Sequence, residues 1–225
     1  MFALRDLNPG KVILTEPIVL CVPETPGNRN VYGIHKAVQQ ADAKVRQRYF
    51  QLKGRTLDAA SYRARAEKLA RTAITPSEIS EAMQAASIWD LNAWADKKKT
   101  WVALDSSYMN HSCLQNAVTC TDEEIREQSV VAIKPIAAGE EILTSYVPIC
   151  EAAESRKQNL RNWGFECDCA ACALATDEAR ASEERRKELV GLFAKYPTMA
   201  SLQDCEKALR LLESEQEMIG EKCNV

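Results

Sequence analysis

The 225-residue sequence is short of glycine (8 residues) and of histidine (2), and it carries no excess of positive charge. Each shortage excludes something. Glycine at about half its usual share rules out collagen-like and low-complexity sequence. Lys+Arg total 29 against 32 Asp+Glu, a net charge of −3, so the basic stripe of an obligate nucleic-acid binder is missing. No apolar run approaches the roughly 18 residues a membrane-spanning helix requires. No secretory signal is recognisable, so an intracellular protein of cytoplasm or nucleus is expected. What is present is an ordinary globular composition, 46% hydrophobic and 27% charged, too apolar for a disordered chain. There are also nine cysteines. An odd count without a secretory signal does not suit a disulfide framework, and reduced thiols, some holding metal, are expected instead.

The hydrophobic period changes several times along the chain. Residues 1–32 read as β-rich, with β-branched runs at Val12-Ile13-Leu14 and Ile18-Val19-Leu20, an edge or break at Pro17, and a loop from Pro23 to Asn30. Residues 33–100 read as helical: Ile34, Val38, Val45, Tyr49 and Leu52 recur at helical spacing, as do Tyr62, Ala66, Leu69 and Ala73. Thr75-Pro76-Ser77-Glu78 predicts a helix start, with Thr75 as N-cap and Glu78 closing a capping box. Residues 101–150 return to strands, with a hairpin predicted from Ala117–Cys120 and Val130–Ile133 around a charged turn. Residues 151–175 hold a helix and a cysteine cluster. Residues 176–225 predict a helical hairpin, with Leu189, Leu192, Phe193 and Tyr196 on one face and Leu202, Cys205, Leu209 and Leu212 on the other. One internal echo stands out: Ala3 to Leu14 resembles Ala132 to Leu143, with Gly10 and Gly139 in matching places. It reads either as a repeat or as one strand–turn–strand device used twice.

Three motifs carry chemistry. Cys167-Asp168-Cys169-Ala170-Ala171-Cys172 offers three thiolates, one short of a closed tetrahedral zinc site. Of the remaining cysteines, Cys113 stands out within Asn110-His111-Ser112-Cys113. The third motif is Gly139-Glu140-Glu141-Ile142-Leu143-Thr144-Ser145-Tyr146. Taken singly, a histidine or a strand-closing tyrosine is more often structural than catalytic.

Taken together, in this order, the motifs resemble the SET-domain protein-lysine methyltransferases. A helical insert between two β-rich halves, followed by Arg156, Leu160 and Trp163-Gly164-Phe165-Glu166-Cys167, is most similar to the SET and MYND group. No MYND finger is recognisable, because the cysteines outside the cluster are scattered. The resemblance implies an α+β SET fold of short curved sheets: an N-terminal β segment (1–32), a helical insert (33–100), a C-terminal SET core (101–150), a zinc-bound post-SET segment (151–175) and C-terminal helices (176–225). It implies S-adenosylmethionine as cofactor, structural Zn²⁺, and a histone or non-histone protein substrate presenting a lysine, with neither nucleic acid nor membrane as partner. Tyr146 would be the catalytic tyrosine. Asn110, His111 (mainly by its backbone), Phe165, Ser107, Met109 and Asn92 would contact or flank the cofactor, and Trp163 and Trp94 would line the lysine channel. Cys113, Cys167, Cys169 and Cys172 would bind zinc, leaving the other five cysteines as packing or free thiols. Two departures stand out. Gln115 occupies a position usually held by proline, and the sequence starts just after the place of the family's Gly-x-Gly cofactor turn. A piece of a larger protein, or a catalytically silent peptide-binding module, is the alternative expectation.

Overall fold

The computed structural model describes residues 1–23, 31–56, 58–69, 71, 75–96, 98–122, 124–195 and 201–219. Most of the expected 23–30 loop, with Ala73, Lys97, Tyr196, Pro197 and Cys223, lies outside the described residues. The chain begins with strands β1 (Val12–Pro17) and β2 (Leu20–Pro23), then helices α1 (Val31–Gln40), α2 (Ala43–Tyr49), α3 (Ala59–Leu69) and α4 (Ile79–Asn92). Six short strands follow: β3 (Trp94–Ala95), β4 (Lys99–Val102), β5 (Asn110–His111), β6 (Ala117–Asp122), β7 (Glu127–Ala132) and β8 (Leu143–Thr144). Helices α5 (Ala153–Leu160), α6 (Ala170–Ala173), α7 (Asp177–Phe193) and α8 (Leu202–Ile219) complete the chain. The sheets have orders β1-β7-β6, β2-β4-β3 and β5-β8. Pro17 ends an edge strand, where its missing N–H breaks no ladder. The predicted hairpin is present as the neighbours β6 and β7. Two compact units result, residues 1–15, 109–120 and 129–225 in one, 16–108 and 121–128 in the other.

In the second unit, Leu20, Val22, Ile34, Val38, Tyr49, Leu52, Ile88, Trp89 and Val102 form one buried core. Its polar atoms are satisfied internally: Tyr49 Oη donates to the Ala85 carbonyl at 2.6 Å and Trp89 Nε1 to Thr100 Oγ1 at 3.1 Å. The predicted helix start at Thr75 is displaced by one turn. Glu78 reaches back to the Thr75 N–H at 3.0 Å as a capping box requires, but α4 begins only at Ile79. The Glu78 N–H bonds the Thr75 carbonyl, so residues 75–78 close a separate turn. On α3, Tyr62 is exposed and Ala66 half-buried.

The first unit explains the echo. Leu7 and Ile136 exchange N–H···O bonds of 2.8 and 2.9 Å. On either side, Gly139 N donates to the Ala3 carbonyl and Gly10 N to the Ala132 carbonyl, both at 2.8 Å. The two similar segments therefore pair with each other about a local two-fold centred on Leu7 and Ile136. Gly10 (φ 80°) and Gly139 (φ 82°) sit in matching left-handed turns that disfavour a side chain.

The α8 face differs from the expectation. Leu202, Cys205 and Leu209 are exposed, while Ala208, Leu211 and Leu212 pack with Leu189 and Leu192 of α7. The buried face of α8 also carries Glu215, fully buried and bonded to Ser182 Oγ at 2.7 Å and Arg186 Nε at 3.2 Å. An apolar period cannot reveal a face held by a carboxylate. No helix among the described residues is long and apolar enough to cross a membrane.

Candidate active site and metal centre

The Asn-His-Ser-Cys motif is stitched to the strand that ends in Tyr146. Asn110 and His111 of β5 pair in parallel with Leu143 and Thr144 of β8. Two residues of parallel ladder are a weak clasp, and buried side-chain amides extend it. Asn116 Oδ1 accepts from Leu143 N at 2.8 Å while its Nδ2 donates to the Glu141 carbonyl at 2.9 Å. Gln115 Oε1 accepts from Ser145 N at 2.8 Å. Proline at 115 could not make that bond, so the departure from the family pattern supplies a contact of its own.

Tyr146 is held at both ends. Its Oη donates to the Met109 carbonyl at 2.6 Å and its N–H donates to His111 Nδ1 at 3.0 Å. An accepting Nδ1 leaves the imidazole proton on Nε2, which lies 3.3 Å from Cys113 Sγ. Burial pushes His111 down to about 4, so the ring is neutral near pH 7. Burial, helped by the Glu141 charge, pushes Tyr146 up to about 12, so its phenol stays protonated. The rings of His111, Trp163 and Phe165 lie 5.3, 5.4 and 6.4 Å from the Tyr146 ring. All four are only half-buried. Asn110 is exposed beside them, its Nδ2 bonded to Glu141 Oε1 at 2.7 Å.

Directly behind His111, the sulfurs of Cys113, Cys167, Cys169 and Cys172 lie within 4.8 Å of one another. Cys113 Sγ is 4.0 Å from Cys167 Sγ and 3.4 Å from Cys172 Sγ. A tetrahedral zinc ion with Zn–S bonds of about 2.3 Å needs sulfurs roughly 3.8 Å apart. Hydrogen bonds from Cys113, then Cys172, drive Cys169 far below an ordinary thiol, and the same contact with Cys169 drives Cys113 far above it. Crowded thiols resist carrying several negative charges side by side, and a divalent cation is what allows all four to deprotonate. The donor set and its spacing fit zinc.

The first unit therefore brings together Tyr146, Asn110, His111, Met109, Phe165, Trp163 and the four cysteines. Asn92, Trp94 and Ser107 belong to the second unit, where each is engaged. Asn92 Nδ2 donates to the Lys53 and Ile88 carbonyls at 2.8 and 2.7 Å. Ser107 Oγ donates to the Ala103 carbonyl at 2.7 Å, in a turn capped by buried Glu16 through the N–H groups of Asp105 and Ser106. Trp94 pairs with Trp101 across β3 and β4 and packs against Ile18 and Ala103. Sequence reasoning gave no role to Gln115 or Asn116 as side-chain ties, nor to Arg156, whose fully buried guanidinium donates from Nε to Cys113 Sγ at 3.3 Å. The signal for the last was its place in the Arg156, Leu160, Trp163 pattern, which does not tell it from the neighbouring Lys157 and Arg161.

The SET-domain family model matches residues 1–147. The chain belongs to the SET-domain family. Tyr146 stands at the end of the matched SET domain, and the Cys167–Cys172 cluster lies beyond it. Among curated proteins, the SET-bearing chain is 35% identical over 96 residues to the histone-lysine N-methyltransferase set5 of Schizosaccharomyces pombe, covering 42% of this chain and 30% of that protein. It is 39% identical over 97 residues to SET5 of Meyerozyma guilliermondii, covering 42% of this chain and 19% of that one. It is 36% identical over 84 residues to the human N-lysine methyltransferase SMYD2, covering 37% and 19%. The aligned stretch thus spans less than a third of the length of each of these relatives.

Proposed function

We propose that this SET domain serves an S-adenosylmethionine-dependent protein-lysine N-methyltransferase acting on a histone or non-histone protein inside the cell, in cytoplasm or nucleus. The observation that carries the reading is the Tyr146 hydroxyl held 2.6 Å from the Met109 carbonyl, beside half-exposed aromatic rings. A cluster of half-exposed aromatic rings suits a cationic guest such as a sulfonium or an ammonium. The named relatives, two histone-lysine and one N-lysine methyltransferase, point the same way.

When bound, S-adenosylmethionine supplies an electrophilic methyl group that an unprotonated lysine amine attacks in line. The chain's own part is positional. The Tyr146 phenol and the Met109 carbonyl present two oxygens that can accept C–H···O contacts, worth about 0.5–1 kcal/mol each. With its phenol held up to about 12, Tyr146 cannot act as the base at neutral pH. The lysine must lose its proton on entry, which a dry aromatic channel favours by disfavouring the charged amine. Trp163 would line that channel. Asn110, His111, Phe165 and Met109 would bind or flank the cofactor. Cys113, Cys167, Cys169 and Cys172 would hold structural Zn²⁺, tying a post-SET segment (151–175) to the SET core.

The test is a thermal shift with S-adenosylmethionine, followed by transfer of labelled methyl groups to protein in a cell extract. Stabilisation and labelled lysine are expected. No stabilisation at saturating cofactor would leave a silent SET-like binding module as the better reading of this chain.

A further inference from the structure

The metal cluster is wired to a helix that the catalytic reading does not use. Arg156 on α5 is fully buried, and a buried guanidinium needs compensation on every side. One side faces sulfur: Nε lies 3.3 Å from Cys113 Sγ, Nη2 lies 3.9 Å from Cys172 Sγ, and Nη2 donates to the Ala171 carbonyl at 3.2 Å. The other side faces α7, where Glu183 Oε2 is 3.6 Å from Nη1, while Nη1 also donates to the Glu151 carbonyl. Glu183 does a second job. Its two oxygens accept from the Ala153 N–H at 2.8 and 2.9 Å, supplying the cap that Ala152 cannot give to α5. One carboxylate on α7 therefore fixes both the start of α5 and the guanidinium that α5 delivers to the cluster.

We propose that Arg156 is a positioning residue of the metal site, and that through Glu183 the helix α7 is energetically part of that site. The inference rests on the zinc-bearing SET reading. Four thiolates around a divalent ion carry a net charge of −2, and Arg156 is the buried cation that offsets it. N–H···S bonds to Cys113 and Cys172 stabilise the thiolate form that the metal requires. Loading the cluster then tightens Arg156, and Arg156 holds Glu183 and the α5 start in register. Release of the metal frees the four sulfurs from a common centre and loosens the sulfur side of the Arg156 contacts, leaving the Glu183 side. The segment of α7 around Glu183 should loosen as a result.

The experiment compares the wild-type chain with Arg156→Met and Arg156→Lys, using zinc competition against a chromogenic chelator, the thiolate charge-transfer band of the cobalt-substituted protein, and hydrogen exchange along α7. Loss of such an outer partner costs about 10–100-fold in metal affinity. Arg156→Met is expected to fall in that range, and Arg156→Lys, which keeps charge but loses the fork, to fall less. Chelation of the wild type should speed exchange around Glu183, and the same treatment of Arg156→Met should change it little. Should Arg156→Met fail to fold, Arg156→Lys carries the test. Zinc affinity unchanged within threefold, or an α7 that exchanges alike with and without metal, overturns the proposal, as does an equal metal response in the variants. None of these readouts requires S-adenosylmethionine, so a failure of methyl transfer alone would count against the proposed activity and leave this inference standing.

Discussion

Replacing Tyr146 by phenylalanine removes one oxygen and should separate stability from chemistry. The Tyr146 hydroxyl bonds the carbonyl of Met109, a residue 1% exposed, at 2.6 Å. The ring is half-buried, so water can partly replace the lost donor, and the cost in stability should be about 1 kcal/mol. That corresponds to a fall in Tm of about 2–4 °C for a chain of this size. Methyl transfer should suffer far more. The substitution deletes one C–H···O acceptor, about 0.5–1 kcal/mol, or roughly 2- to 5-fold in rate, and it releases the Met109 carbonyl from the bond that orients it. Loss of alignment at the reacting centre multiplies this, because a misplacement of about 1 Å can cost 10²-fold. The expected fall in kcat is therefore about 10²–10³-fold, with S-adenosylmethionine affinity, read by calorimetry, within a few-fold of wild type. A fall of less than tenfold with cofactor affinity intact would refute the placement of the methyl group beside this hydroxyl.

Cys113→Ser, or chelation of the wild type, should abolish the fourfold thiolate site; metal content by mass spectrometry should drop from about one ion per chain, and Tm should fall more than in any variant below, since structural zinc can supply on the order of 10 kcal/mol. Gly10→Ala and Gly139→Ala should each cost about 1 kcal/mol in denaturant unfolding, because an added Cβ meets nothing within 4 Å and only the left-handed backbone resists it. Unequal costs would contradict the local two-fold that makes the turns equivalent. Gln115→Ala should lose about 1 kcal/mol through the unpaired Ser145 N–H, and hydrogen exchange at Ser145 should rise with it. Because burial raises Tyr146 to about 12, the folded chain keeps this proton more tightly than the unfolded one. The matching stability is complete below about pH 10 and lost as pH climbs towards 12. A phenolate absorbance below pH 10 that disappears in Tyr146→Phe would contradict this.

Much of the site was legible because its chemistry is local in sequence. Cys167, Cys169 and Cys172 announce themselves within six residues, and Asn110-His111-Ser112-Cys113 supplies the fourth sulfur. The core of the helical stretch was equally plain, since Ile34, Val38, Tyr49 and Leu52 are apolar at helical spacing and are buried. Legibility failed where polar groups are buried by pairing across the fold. Leu202 and Leu209 of α8 predict an apolar face that is in fact exposed, because the buried face is turned by Glu215 meeting Arg185 and Arg186. Residues 75–78 satisfied the rule for a capping box and still formed a turn, since the Thr75 carbonyl, not its hydroxyl, takes the Glu78 N–H.

The same distinction separates the two histidine and arginine contacts on Cys113. A sulfur that accepts from both His111 Nε2 and Arg156 Nε, each at 3.3 Å, differs from its three neighbours in carrying two outer donors. His111 passes that contact to the backbone of Tyr146 through Nδ1, and Arg156 passes it to α7 through Glu183. Cys113 is thus the one ligand whose sulfur is bonded towards both the tyrosine and the C-terminal helices. A ligand substitution at Cys113 should disturb both directions at once, whereas Cys167→Ser, whose sulfur has neither contact among the described hydrogen bonds, should weaken the metal with less effect on Tyr146. Trp163 lies 5.4 Å from the Tyr146 ring, so its fluorescence gives the readout, best followed with the other three tryptophans replaced by phenylalanine. Equal emission changes for Cys113→Ser and Cys167→Ser at matched metal occupancy would show that the cluster acts on Tyr146 as a whole and not through this sulfur.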